Sequence, residues 1–95
     1  MFDKKTKSYT DLLGKTNRIV EGTRIKGNIY SVADFRLDGE LTGNFQCEGK
    51  IVIGPAGIVI GDIDCKSADI EGRFSGKIQV LELLNVKSTA IIYGE

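Results

Sequence analysis

The chain contains no histidine, two cysteines, one proline and no net formal charge over its 95 residues. Without histidine, the commonest acid–base catalyst and metal ligand is missing. Two thiols without histidine or further cysteines make a poor zinc site. Charged residues make up 27% of the chain, yet their sum is zero, so no basic field exists for nucleic-acid binding. The longest apolar run falls far short of the roughly 20 residues that cross a bilayer. The start, Met1-Phe2-Asp3-Lys4-Lys5, lacks the apolar stretch of a secretory signal. These absences predict a cytoplasmic protein with no nucleic-acid partner.

Glycine, in contrast, recurs with a pattern. It stands two residues after one apolar residue and two before another in Ile25-Lys26-Gly27-Asn28-Ile29, Leu41-Thr42-Gly43-Asn44-Phe45, Val59-Ile60-Gly61-Asp62-Ile63 and Phe74-Ser75-Gly76-Lys77-Ile78. A fifth copy opens at Ile92-Tyr93-Gly94, and the glycines lie 16, 18, 15 and 18 residues apart. Self-similarity at a short period marks a chain of stacked coils, each covering the face of the next. Short alternating runs such as Ile51-Val52-Ile53 and Ala68-Asp69-Ile70 are bounded by Gly, Asp or Asn, as strands joined by tight corners are. Helical periodicity is absent. The pattern predicts an all-β solenoid of four to five short, three-faced coils.

Alignment of the copies predicts which side chains stack. After the apolar residue that follows each glycine, a pair of inward positions falls six and eight residues on: Phe35 and Leu37 after Ile29, Ile51 and Ile53 after Phe45, Leu84 and Val86 after Ile78. After Ile63 the pair, Ala68 and Ile70, arrives one residue early, so the corners absorb the variation in length. With coils about 4.8 Å apart, like side chains stack on like. Phe45, Ile63 and Ile78 form one expected buried ladder, and Ile53, Ile70 and Val86 another.

Several motifs invite chemistry that the composition denies. Ile53-Gly54-Pro55-Ala56-Gly57 and Ile60-Gly61 superficially resemble hexapeptide acyltransferases, but the Ile-Gly pairs are seven apart and the histidine base of that family is missing. A corner closed by Gly-Pro-Ala-Gly is the simpler reading. Gly14-Lys15-Thr16 has the last letters of a phosphate loop without its upstream glycine or preceding strand, so no nucleotide is expected. Asp38, Glu40, Asp62, Asp64, Asp69 and Glu71 match no calcium-binding loop and read as solvated surface. Cys47 and Cys65 occupy equivalent positions in neighbouring coils and read as buried, inert thiols. Neither catalysis, a metal nor a cofactor is expected.

Residues 1–16 share none of the period and form an expected flexible basic tail, leaving 17–95 as the β-helical core. Residues 1–18 carry Lys4, Lys5, Lys7, Lys15 and Arg18 against Asp3 and Asp11. Phe2 beside Lys4 and Lys5 could enter the interface of an anionic membrane, each lysine adding about 1 kcal/mol, a sum that many joined copies would multiply. Neither end of the stack shows a polar cap of the kind repeat proteins use. The sequence reaches Glu95 part-way through its fifth copy, so either the open end meets another subunit or the core lacks its last coils.

Gly22-Thr23-Arg24-Ile25-Lys26-Gly27-Asn28-Ile29, Arg36-Leu37-Asp38-Gly39 and Gly49-Lys50-Ile51-Val52-Ile53-Gly54 closely resemble bactofilins, as do Leu83-Leu84-Asn85-Val86 and the Gly-x-Ile series, over residues 17–95. The resemblance implies a right-handed parallel β-helix that polymerises end to end, without nucleotide, into a filament lacking polarity, its subunits joined head to head and tail to tail. It implies contacts around Ile19, Ile25 and Ile29 at one end and Ala90 and Ile92 at the other. It also implies that Met1, Phe2, Lys4 and Lys5 direct the polymer to the inner face of the cytoplasmic membrane. The family normally continues for one or two further coils, which this sequence lacks. A short membrane-bound adaptor that recruits cell-wall enzymes or other morphogenesis proteins is the alternative expectation.

Overall fold

A computed structural model of the protein describes residues 16–94. Alternating apolar and polar side chains interrupted by Gly, Asn and Asp favour strands, and eleven strands form, with no helix among the described residues. In chain order they are β1 (Thr16–Ile19), β2 (Arg24–Lys26), β3 (Ile29–Ser31), β4 (Asp34–Leu37), β5 (Glu40–Thr42), β6 (Phe45–Ile53), β7 (Ile58–Ile60), β8 (Ile63–Ile70), β9 (Arg73–Gly76), β10 (Ile78–Val86) and β11 (Ile91–Gly94). Every pairing among them is parallel. One sheet runs β1-β4-β6-β8-β10 with β3 also on β6, and the other runs β2-β5-β7-β9-β11. Parallel neighbours added in chain order to two sheets, through corners of a few residues, require the chain to wind, and the result is a β-solenoid of about five turns.

The glycines set the winding. Gly27, Gly43, Gly61, Gly76 and Gly94 adopt φ from +112° to +143°, a region that L side chains avoid. They stack so closely that a Cβ on any of the last four would collide with the carbonyl of the glycine one coil before. The next column is held by side chains: the Oδ1 atoms of Asn28, Asn44 and Asp62 accept the backbone N–H of Asn44, Asp62 and Lys77 at 3.1, 3.4 and 3.4 Å. Each such bond ties one coil to the next at a corner where strand pairing lapses.

Inside, Ile29, Phe45, Ile63 and Ile78 lie in one register column. Ile19, Leu37, Ile53, Ile70 and Val86 form a second, and Ile25, Leu41, Val59, Phe74 and Ile92 a third. The core is densest in the middle coils, where Leu37, Leu41, Ile51, Ile53, Val59 and Ile70 are fully buried. Phe35 meets Phe45 edge-to-face with ring centroids 4.7 Å apart, the geometry that the ring quadrupoles favour.

Two features differ from the sequence-based expectation. The short alternating runs predict short strands broken at every corner, but β6, β8 and β10 run for eight or nine residues. In these three coils pairing persists through the first corner, which becomes a register shift between Cys47 and Lys50 and again between Val80 and Leu83, whereas in the first coil it lapses between β3 and β4. These shifts take up the one-residue discrepancy in the repeats, as bulges do. The second difference concerns the expected buried ladders. Val86 stacks on Ile70 but is 50% exposed, and Ile78 is only half-buried. Both belong to the last described coil, which covers its neighbour and is itself uncovered.

Candidate functional site

The last coil is the least satisfied part of the described structure. β10 and β11 each end a sheet and pair on one side only. Their inward positions hold Leu84, Val86 and Ile92, which are 42%, 50% and 37% exposed, whereas their register partners one coil earlier, Ala68, Ile70 and Phe74, are at most 1% exposed. Ala90 is half-buried against the core beside them. An apolar cross-section is thus combined with a row of unpaired backbone groups, a template for another strand. Leu84 and Val86 are the main contributors to this surface that the expected contact residues, Ala90 and Ile92, leave out. Their placement in the terminal repeat is the signal that could have identified them.

The opposite end is edged by β1, β2 and β3. Ile19, Ile25 and Ile29 are half-buried against Leu37, Leu41 and Phe45. This cross-section is more polar. Asn17 occupies the inward column on top of Phe35, and its Nδ2 donates to Ser31 Oγ at 3.1 Å; Ser31 Oγ in turn donates to the Ala33 carbonyl at 2.9 Å. The two ends therefore bring together different groups and cannot make the same contact. Met1, Phe2, Lys4 and Lys5 lie outside the described residues.

The flanks carry ion pairs that reach from coil to coil, Arg24 to Glu40 at 3.3 Å, Lys50 to Asp69 at 3.0 Å and Lys66 to Glu82 at 3.8 Å. The Arg24–Glu40 and Lys66–Glu82 pairs are exposed and contribute little each, while the Asp69 carboxylate is half-buried. Among the described residues no group of three or more His, Cys, Asp or Glu is placed to hold a metal ion, and no helix is long and apolar enough to cross a membrane.

Cys47 and Cys65 are register partners, both free and buried. Cys47 Sγ donates to the Ala33 carbonyl at 3.3 Å and accepts from the Gly49 N–H at 3.4 Å. Burial pushes the Cys65 thiol up to about 12, and raises that of Cys47 against the opposing pull of the Gly49 N–H. The folded state therefore keeps a proton that the unfolded chain releases. That contribution to stability is complete below the unfolded thiol pKa, about 8.5, and is lost as pH rises from there through the folded value. At pH 8 we expect both thiols to react with a disulfide reagent at least about a hundred-fold more slowly in the native protein than in guanidinium. Fast native reaction of either thiol would show that the middle coils open.

The Bactofilin family profile, described as polymer-forming cytoskeletal, matches residues 17–95. The chain belongs to the bactofilin family. Among solved structures it is similar to a mutant bactofilin from Thermus thermophilus, with 26% identity and a TM-score of 0.78 over 84% of this chain and 88% of that one. Comparison with curated proteins gives no match. Family membership makes this a polymer-forming cytoskeletal protein.

Proposed function

We propose that the protein is a filament subunit that assembles end to end through its terminal coils, without nucleotide, and is recruited to the inner face of the cytoplasmic membrane by Met1, Phe2, Lys4 and Lys5. The contrast between Leu84, Val86 and Ile92 and their buried counterparts Ala68, Ile70 and Phe74 carries the assembly reading. One more coil, supplied by another subunit, would give the exposed residues the environment their counterparts already have. Burial of apolar surface supplies the driving force, so polymerisation needs no hydrolysis. Because the two ends differ in polarity, like pairs with like: the apolar C-terminal ends meet about a two-fold axis, the Asn17 ends meet about another, and the filament has no polarity.

Recruitment rests on Phe2 and the adjacent lysines. One aromatic and two or three cations hold a single subunit weakly, but a filament presents them in series and gains avidity without new contacts.

Negative-stain electron microscopy of the purified protein, with no nucleotide or metal, tests both parts when anionic vesicles are added. The wild type should form filaments that coat vesicles. Ile92→Arg should leave only short particles, and Phe2→Ala with Lys4→Ala and Lys5→Ala should leave filaments free of lipid. Filaments of normal length in Ile92→Arg would remove the C-terminal coil from the contact.

A further inference from the structure

Winding sets where a strand upstream of β1 falls. β1, β2 and β3 head the three columns of strands, lying on β4, β5 and the first part of β6, so a segment that continues the coil backwards from β1 lies on β3. Among the described residues that edge of β3 is free. Ile29 is half-buried there, while Phe45 and Ile63 in the same column are 1% and 2% exposed. The backbone is open too. Ile29 N–H donates to the Asn44 carbonyl of the next coil at 2.9 Å, so the alternation along a strand turns the N–H and C=O of Tyr30 the other way, to the free edge. Residues 12–19 carry the pattern that fits it. Leu12-Leu13-Gly14-Lys15-Thr16-Asn17-Arg18-Ile19 aligns without a gap with Ile63-Asp64-Cys65-Lys66-Ser67-Ala68-Asp69-Ile70, the whole of β8. Register already places Asn17 in the column of Ala68 and Ile19 in that of Ile70. Carried back, it puts Leu12 on Ile29 and Gly14 on Ser31. Glycine suits that place, because Ser31 is buried and its hydroxyl accepts from Asn17 Nδ2 at 3.1 Å, a bond that a larger side chain would crowd.

We propose that Leu12, Leu13 and Gly14 form an additional strand on the free edge of β3 within the same subunit, with Leu12 closing the column of Ile29 and Phe45. The Tyr30 N–H donates to the Leu12 carbonyl and the Tyr30 carbonyl accepts the Gly14 N–H, as a parallel ladder in this register requires. Leu13 points outward and packs along the Tyr30 side chain, which is 59% exposed without it. The occupant is this chain's own segment because Lys15 alone separates it from β1. Its effective concentration at the edge far exceeds that of a second copy. Two consequences follow for the N-terminal end. The coil starts at residue 12 instead of 17, and an edge open to any passing strand is covered. Ile29 is also withdrawn from contact with other subunits, and Leu12 takes its place at the end of the column. That last consequence rests on end-to-end assembly, whereas the strand itself does not.

Amide hydrogen exchange read by NMR on the full-length chain carrying Ile92→Arg, at a high and a low protein concentration, is the test. The Tyr30 amide is expected to exchange at least about tenfold more slowly than in an unstructured chain. Leu12→Asp should remove that protection by placing a charge in the apolar column, and Gly14→Pro by deleting the N–H offered to Tyr30. Leu13→Asp should change it by less than about threefold, because alternate residues of a strand face outward. Amides of β6 and β8 should keep their protection in every variant, showing that the core stays folded. A Tyr30 amide that exchanges at the unstructured rate in the parent chain would overturn the proposal. Equal losses in Leu12→Asp and Leu13→Asp would overturn it in favour of an apolar contact without strand register. Protection that disappears on dilution would place a second copy on the edge and overturn it as well. Filaments absent from the wild type, with Tyr30 protected, would sink end-to-end assembly and leave the strand in place.

Discussion

Gly61→Ala is expected to cost far more stability than Gly27→Ala, although the two glycines have nearly the same backbone conformation, φ +142° and +135°. Both substitutions force an L side chain into a region where it is strained, at an order of 1–3 kcal/mol. Around Gly27 nothing lies within 4 Å of the added methyl, so its cost ends there. At Gly61 the methyl collides with the backbone of Gly43, its carbonyl oxygen first. That backbone cannot retreat cheaply, because Gly43 N–H is bonded to Ile60 O and Gly61 N–H to Ser75 O, each at 2.9 Å. Relief requires two coils to separate at the corner, loosening the register on either side. We expect Gly61→Ala to exceed Gly27→Ala by about 3 kcal/mol or more, the scale of an overpacked core position with no room to relax. Urea denaturation followed by circular dichroism measures both, and equal costs would show that the glycines serve φ alone and that the column is not closely stacked.

This column explains why so much of the fold could be read from the sequence. Gly43, Gly61, Gly76 and Gly94 are each required where the backbones of successive coils approach, and Gly27 opens the column with the same positive φ, so their spacing gives the length of each coil directly. Parallel pairing in register then aligns Phe45 with Ile63 and Ile53 with Ile70. What could not be read depends on neighbours instead of on local pattern. Val86 occupies the same column as Ile70 and has the same apolar character, yet it is half exposed because no described coil lies over it. The strands that continue through the first corner were missed because a bulge of one or two residues, Glu48-Gly49 or Leu81-Glu82, looks in sequence like the end of a strand.

Ile70→Asp and Val86→Asp place the same carboxylate in the same column one coil apart, and we expect opposite outcomes. Ile70 is fully buried, with Ile53 on one side and Val86 on the other. A carboxylate there loses the packing of the isoleucine, about 2–5 kcal/mol, and carries an effective penalty of several more for an unpaired buried charge. Together these approach or exceed the 5–15 kcal/mol that holds a typical domain folded. The damage falls in mid-stack, where it disconnects the coils before it from those after it. Val86→Asp leaves its carboxylate half in water, so the subunit should stay folded and lose about 1 kcal/mol or less. Its effect should appear in assembly, because the charge would be desolvated only when another subunit covers the coil. Circular dichroism should therefore report an unfolded Ile70→Asp and a native Val86→Asp, while sedimentation finds the latter unable to form filaments. If Val86→Asp unfolds like Ile70→Asp, the terminal coil is already covered within the subunit and is not the assembling end. If it folds and polymerises normally, the column ends in solvent and the filament is built through another surface.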